Sequence, residues 1–271
     1  MKAKPPLVSV QGLSVERDRA ILKDIDWTIR PGEHWVLLGA NGSGKTSLLS
    51  ALTGYLTPSA GEIELLGKRY GAADWRVLRQ AVGLVSAGIQ KRIEPEETAL
   101  EMVASGRDAV LNFWGKLTPA LRRQALRRLR QVDGAHLAAR PWWQLSQGER
   151  QRVLIARAMM SSLKILILDE PCAGLDPVAR EEFLGFLARF TKARGGPGLV
   201  LVTHHVEEIV PGFTHGLVLR QGKALASGKI GSVMTSRVLS AAFGAPCRIG
   251  RRGGRYAFAL TGKAKTPHFA F

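Results

Sequence analysis

The chain has 271 residues, is 45% hydrophobic and 23% charged, and sets 39 Lys and Arg against 22 Asp and Glu for a net charge of +17. That usage is globular, too apolar for disorder, and long enough for one large α/β domain or two smaller ones without covalent staples. Two cysteines, Cys172 and Cys247, exclude a disulfide scaffold and lack zinc-site spacing. No run approaches the roughly 18 apolar residues of a membrane span, and MKAKPPLVSV is no signal peptide. The expectation is a soluble, cytoplasmic chain.

In chain order, Leu7–Val10 reads as a strand, and Ile25–Ile29 alternates as a half-buried strand does. Arg30-Pro31-Gly32-Glu33 is a turn, and the apolar run Trp35–Leu38 predicts a strand buried on both faces. After a glycine-rich loop, Lys45–Leu52 reads as a helix with Leu48, Leu49 and Leu52 on one face and Gly54 placed to end it. Ile63–Leu66 and Gly83–Val85 are further short strands. Thr118-Pro119 starts a helix in which Leu121, Ala125, Leu129 and Val132 share a face. Gln147–Met160 is helical, Ile165–Leu168 a second deeply buried strand, Glu181–Thr191 a helix and Leu199–Val202 a third buried strand. Near the C-terminus, Cys247–Phe258 reads as a hairpin with a Gly-Gly turn. Strands alternating with helices predict an α/β fold with a mostly parallel sheet. The block 86–145 has helical patterns and no strong strand, as an inserted helical subdomain would.

The charge is uneven. Lys116–Arg130 holds six basic residues and no acid, and Arg220–Phe271 holds ten (Arg220, Lys223, Lys229, Arg237, Arg248, Arg251, Arg252, Arg255, Lys263 and Lys265) and no acid. Such stretches are solvated faces or surfaces for nucleic acid, anionic lipid or an acidic protein.

Gly39-Ala40-Asn41-Gly42-Ser43-Gly44-Lys45-Thr46, followed by Ser47, fits G-x-x-x-x-G-K-[ST] between a predicted strand and a predicted helix. Glycines let backbone N–H groups close on phosphate, and the helix presents its positive end to the same anion. Lys45 is placed to reach the β- and γ-phosphates of ATP, and Thr46 to hold Mg²⁺. Ile165–Leu168 ends in Asp169-Glu170. Asp169 is a second candidate Mg²⁺ ligand, and Glu170 a candidate to polarise the attacking water.

Leu145-Ser146-Gln147-Gly148-Glu149 stands just before a helix, between the phosphate loop and the acidic strand end. The three motifs together resemble the ATP-binding cassette (ABC) ATPases, the pentapeptide being a variant of that family's LSGGQ signature. Ala173-Gly174-Leu175-Asp176 resembles its D-loop, and Thr203-His204 its switch histidine. The segment Pro58 to Ile63 resembles its P-x-x-G-x-I element, and the likeness spans about residues 7–230. It implies a P-loop NTPase core with an N-terminal antiparallel β-subdomain and an inserted helical subdomain. The expected boundaries are 5–230 for the ATPase domain (helical part about 86–145) and 231–271 for a basic C-terminal extension packed on the core. The resemblance also implies ATP hydrolysis by a head-to-tail homodimer driving a separate permease at the inner face of the cell membrane. Leu145, Ser146, Gln147, Gly148 and Glu149 then meet ATP held by the other subunit, His204 bonds the γ-phosphate, and His205 is a bystander. The other reading is a soluble ATP-driven clamp on nucleic acid or the ribosome, favoured by the basic stretches.

The family pattern is departed from in three places. Arg17 stands where an aromatic residue usually stacks on adenine, and Ser86 where the Q-loop glutamine is expected, with Gln90 four residues on. Gln147 and Glu149 replace Gly and Gln in the signature, and Glu149 brings negative charge near the bound phosphate. Together they predict slower turnover. Ser86, LSQGE and VTHH also resemble cassettes of molybdenum- or iron-transport type, which suggests a metal or oxyanion cargo.

Overall fold

The computed structural model describes residues 5–108, 111–193 and 195–262. The N-terminal part comprises strands β1 (Val8–Glu16), β2 (Ala20–Ile29) and β3 (Trp35–Leu38), helix α1 (Lys45–Leu52), and strands β4 (Ala60–Leu65) and β5 (Lys68–Arg69). Then come α2 (Trp75–Leu78), β6 (Val82–Val85), α3 (Ala87–Gln90), α4 (Ala99–Ser105), α5 (Pro119–Gln131) and α6 (Gln147–Ala158). They are followed by β7 (Ile165–Asp169), α7 (Pro177–Phe190), β8 (Gly198–Thr203), β9 (His215–Arg220) and β10 (Lys223–Lys229). The last elements are α8 (Ile230–Val233), α9 (Ser236–Phe243), β11 (Cys247–Arg252) and β12 (Arg255–Leu260). The fold is mixed α/β. It divides into two units, the described parts of Met1–Ala73 and Val202–Phe271 in one and Asp74–Leu201 in the other.

The first unit holds an antiparallel sheet in the order β2-β1-β4-β5. Val8 pairs with Ile29 and Val10 with Trp27 across β1 and β2, and Val10 with Ile63 across β1 and β4. All of these are buried, and each fully buried Val, Ile or Leu contributes about 2 kcal/mol. β3 runs parallel to β9, and β9 antiparallel to β10. All four residues of β3 are buried, as an apolar run without alternation requires. Residues 231–262 fold within this unit, with Leu239 and Ala242 of α9 buried and Phe243 packed edge-on to Phe258 at 5.6 Å. The expected Gly253-Gly254 turn joins β11 to β12, with φ of 58° and 79°. Lys263, Lys265 and the rest of the basic tail lie outside the described residues.

In the second unit β6 pairs in parallel with β7, Val82 opposite Ile165 and Val85 opposite Leu168, and β8 lies next to β7. Thr118 caps α5, accepting from Leu121 N at 3.3 Å, and Pro119 occupies the first turn as expected. Leu121, Ala125 and Leu129 are buried, while Arg122, Arg123, Arg127 and Arg130 are exposed. Between residues 86 and 145 the described residues form no strand, only an isolated bridge from Thr98 to Pro141. Burial pushes the Glu97 carboxyl up to about 7, against the opposing pull of Phe113 N–H, which donates to it at 2.7 Å.

Some elements differ from expectation for physical reasons. α7 begins at Pro177 rather than Glu181, because Asp176 accepts from Val178 N and Ala179 N at 2.8 and 3.0 Å and caps it there. α6 ends at Ala158, and β4 ends at Leu65 because Leu66 turns to φ 54°. β9 escapes sequence reading because its apolar core, Leu217–Leu219, is too short to tell a strand from a helix turn.

Candidate functional site

The phosphate loop leaves the end of β3 and enters α1, both within the first unit. A Cβ on Gly39 would lie 2.5 Å from both Leu219 O and Ser43 Oγ, so only glycine lets the loop close there. Gly44, at φ 107°, is the N-terminal flank of α1, and no side chain caps that end. Gly222 N donates to Ser43 O at 3.0 Å, and Lys23 N to Gly222 O at 2.8 Å, tying the loop to the β9–β10 turn and to β2.

Lys45 is buried, and its Nζ donates to Gly39 O at 2.8 Å and Ala40 O at 3.2 Å. The Ser43 hydroxyl is buried without a hydrogen-bond partner. A buried hydroxyl costs free energy unless it is paired, so this one fits a polar group entering the loop. Asn41, Gly42 and Thr46 are exposed, and Ala40 and Ser47 half-buried. A buried ammonium, an unpaired hydroxyl and an uncapped helix start form a cradle that fits the phosphates of ATP. Arg17 lies in the exposed β1–β2 turn, where its N–H donates to Arg19 O at 3.1 Å.

In the same unit, β8 ends at buried Thr203, and half-buried His204 follows. Its ring lies 4.0 Å from the ring of exposed His205. His215 is structural, stacked on Trp35 at 4.9 Å and 3.6 Å from Glu33.

The second unit carries the acidic strand end and the signature. Ile165–Leu168 is buried, Asp169 half-buried, and Glu170 leaves the strand with φ 48°, a left-handed backbone rare outside glycine. Strain of this kind collects at functional sites. Ala173 N returns to Glu170 O at 3.1 Å, opening the turn through Gly174 and Leu175 to the Asp176 cap of α7. Cys172 is buried beside it and not joined to Cys247.

Leu145 is buried, and Ser146 caps α6. Glu149 N donates to Ser146 Oγ at 3.3 Å while Ser146 N donates to Glu149 Oε2 at 2.7 Å, a reciprocal box. Arg140 then donates to Glu149 Oε1 at 2.8 Å and to Gln144 O at 2.7 Å. Partial burial acts to raise the Glu149 pKa, but the Ser146 bonds and Arg140 together hold it below its ordinary 4.5. Glu149 is therefore a paired acid, not the bare negative charge its place in the signature suggests. Gln147 and Gly148 open the helix, with Leu175 3.8 Å from where a Gly148 Cβ would sit.

Ser86 flanks α3 without capping it by its side chain, and Gln90 closes that single turn. The Gln90 Nε2 is buried without a partner. Sequence reasoning missed Arg140, which the fold brings to Glu149. Only the Ser-x-x-Glu pattern at 146–149 signalled its capping box in advance.

The family model described as ABC transporter matches residues 22–173. An uncharacterised ABC transporter ATP-binding protein of Bacillus subtilis, YlmA, is 39% identical over 90% of this chain and 93% of its own. The hemin import ATP-binding protein HmuV of Methylobacillus flagellatus is 32% identical over 84% of this chain and 86% of its own. Among solved structures, cbiO1 of Clostridium perfringens, part of the ABC transporter complex cbiONQ, superposes with a TM-score of 0.75. That match is 26% identical and covers 87% of this chain and 93% of the other.

Proposed function

The chain belongs to the ABC transporter family as an ATP-binding, ATP-hydrolysing subunit, and from that premise we propose that it works as a head-to-tail homodimer driving a separate permease that imports a metal-containing or oxyanion cargo. The likeness to a hemin import protein supports the cargo class. No helix among the described residues is long and apolar enough to cross a membrane. In this reading the subunit works against the inner face of the membrane.

The observation that carries the reading is the cradle at the start of α1, where the buried Lys45 ammonium sits on the Gly39 and Ala40 carbonyls beside the unpaired Ser43 hydroxyl. Lys45 turns to the β- and γ-phosphates, and the loop N–H groups with Ser43 hold the remaining oxygens. Thr46 and Asp169 are the residues that would hold Mg²⁺, which when bound neutralises charge on the phosphate oxygens. Glu170 orients the attacking water and accepts its proton, and His204 bonds the γ-phosphate. Ser146 and the start of α6 meet the γ-phosphate held by the partner protomer. Gln90 supplies the amide that Ser86 lacks.

Glu170→Gln keeps the shape of the side chain and removes the proton acceptor. With Mg²⁺ and ATP this variant is expected to bind nucleotide, lose hydrolysis and accumulate as a dimer in size exclusion with light scattering. A variant that binds ATP and stays monomeric overturns the dimer, and one that hydrolyses at the wild-type rate overturns the role of Glu170.

A further inference from the structure

The segment after β8 is closed by a hydrogen-bonded relay that the proposed chemistry does not itself require. Glu208 is 3% exposed, and its carboxylate accepts the Thr203 hydroxyl at 2.6 Å. The oxygen of that hydroxyl accepts the His205 N–H at 3.0 Å. Between them the backbone makes a single tight turn, with Glu208 N donating to His205 O at 3.3 Å and Ile209 N to Val206 O at 3.2 Å. Val206, Ile209 and Val210 anchor the turn in the core.

His204 therefore sits between two fixed points. On its N-terminal side is Thr203, the last residue of a strand buried throughout. On its C-terminal side is the His205 N–H, held by the Thr203 hydroxyl, which Glu208 holds in turn. The backbone is thus held on both sides of His204, by the strand before it and by the His205 N–H bond after it. A buried carboxylate is costly unless its hydrogen bonds are made, and an apolar residue at 208 would extend the cluster of Val206, Ile209 and Val210 without that cost. Turn formation alone does not call for the acid, because backbone bonds already close the turn.

We infer that Glu208, acting through Thr203, is a positioning residue for the switch histidine His204. This rests on the reading of His204 as the group that bonds the γ-phosphate. Displacement of about 1 Å in such a group costs up to about 100-fold in rate, so the relay is expected to act on the chemical step and not on nucleotide affinity.

The test compares Thr203→Val, Thr203→Ser, Glu208→Ala and His204→Ala in the full-length protein. Readouts are steady-state ATPase activity, ATP affinity and thermal melting. Thr203→Val is nearly isosteric and removes the hydroxyl. It is expected to lower kcat about tenfold or more while KM for ATP and ATP affinity stay within about twofold. Thr203→Ser restores the hydroxyl and is expected to regain most of the lost rate. Glu208→Ala is expected to show the same split where it folds, and the Thr203 pair carries the test where it does not. Wild-type kcat in Thr203→Val overturns the relay, as does a loss that Thr203→Ser does not recover or one carried by KM. A fully active His204→Ala overturns the reading of His204 itself, whereas an inactive His204→Ala beside a wild-type Thr203→Val overturns only the relay.

Discussion

Two helix starts meet an anion in the proposed mechanism, and they are finished in opposite ways. α1 begins after Gly44 with no side-chain cap and no acid in its first turn. α6 begins after Ser146 with a complete reciprocal cap and an acid, Glu149, in its first turn. At α1 the orphan N–H groups remain for a ligand, and the local charge is the Lys45 ammonium. At α6 two of the donors are already satisfied from within, and the local acid is matched by Arg140. A helix start left open suits a ligand held throughout a cycle. One closed by its own side chains stays rigid when no ligand is present, as would suit the proposed contact with phosphate only on closure of a dimer.

The largest expected effect comes from making the open start less cationic. Lys45→Ala removes the one charge buried in the loop, and loss of a preorganised donor to a reacting phosphate costs on the order of 100- to 1000-fold. ATPase activity should fall by that factor, with a clear loss of affinity in a fluorescent-nucleotide titration. A variant that retains tight binding would show that the loop N–H groups alone carry the site and would weaken the contrast with α6.

At the closed start the balance between Arg140 and Glu149 is the point to break. Arg140→Ala leaves Glu149 without its guanidinium partner at the mouth of α6, facing whatever anion arrives. Turnover is expected to fall severalfold, on the order of the 1.4 kcal/mol that equals tenfold. The double variant Arg140→Ala with Glu149→Gln removes both charges and should recover most of that loss. If the single and double variants turn over alike, the charge balance is irrelevant and Arg140 matters only through its bond to Gln144 O.

The same comparison shows what the sequence made legible. The phosphate loop, its strand and its helix were readable to the residue, because glycine spacing, a run of four apolar residues and leucines at helical intervals are all local. The acidic strand end at Asp169 was equally plain. Arg140 was not, because its partner lies nine residues away across a turn, and only the fold brings the two within 2.8 Å. Glu149 was read as an added negative charge near phosphate, although the Ser-x-x-Glu spacing also predicts a capping box. The Thr203–Glu208 relay and the buried Gln90 amide depend on how tightly the chain turns after a strand, which side-chain type does not encode.

The smallest expected effect is the pH dependence of the closed start. Glu149 in the folded protein titrates below its ordinary value of 4.5, since the Ser146 bonds and Arg140 outweigh the opposing effect of partial burial. A carboxylate whose folded pKa is depressed adds stability that is present above the unfolded pKa and is lost as pH falls through the folded one. Glu149→Gln should therefore melt below wild type at pH 7, by a few tenths to about 1 kcal/mol for a partly exposed cap. That gap should close as the pH is taken well below 4.5 and the wild-type carboxylate gains its proton. α1 has no acid in its first turn, so Thr46→Val or Ser47→Ala should shift melting by an amount that stays level across the same range. A gap for Glu149→Gln that is flat with pH would mean that the box holds through geometry alone, and the two helix starts would then differ in shape but not in charge.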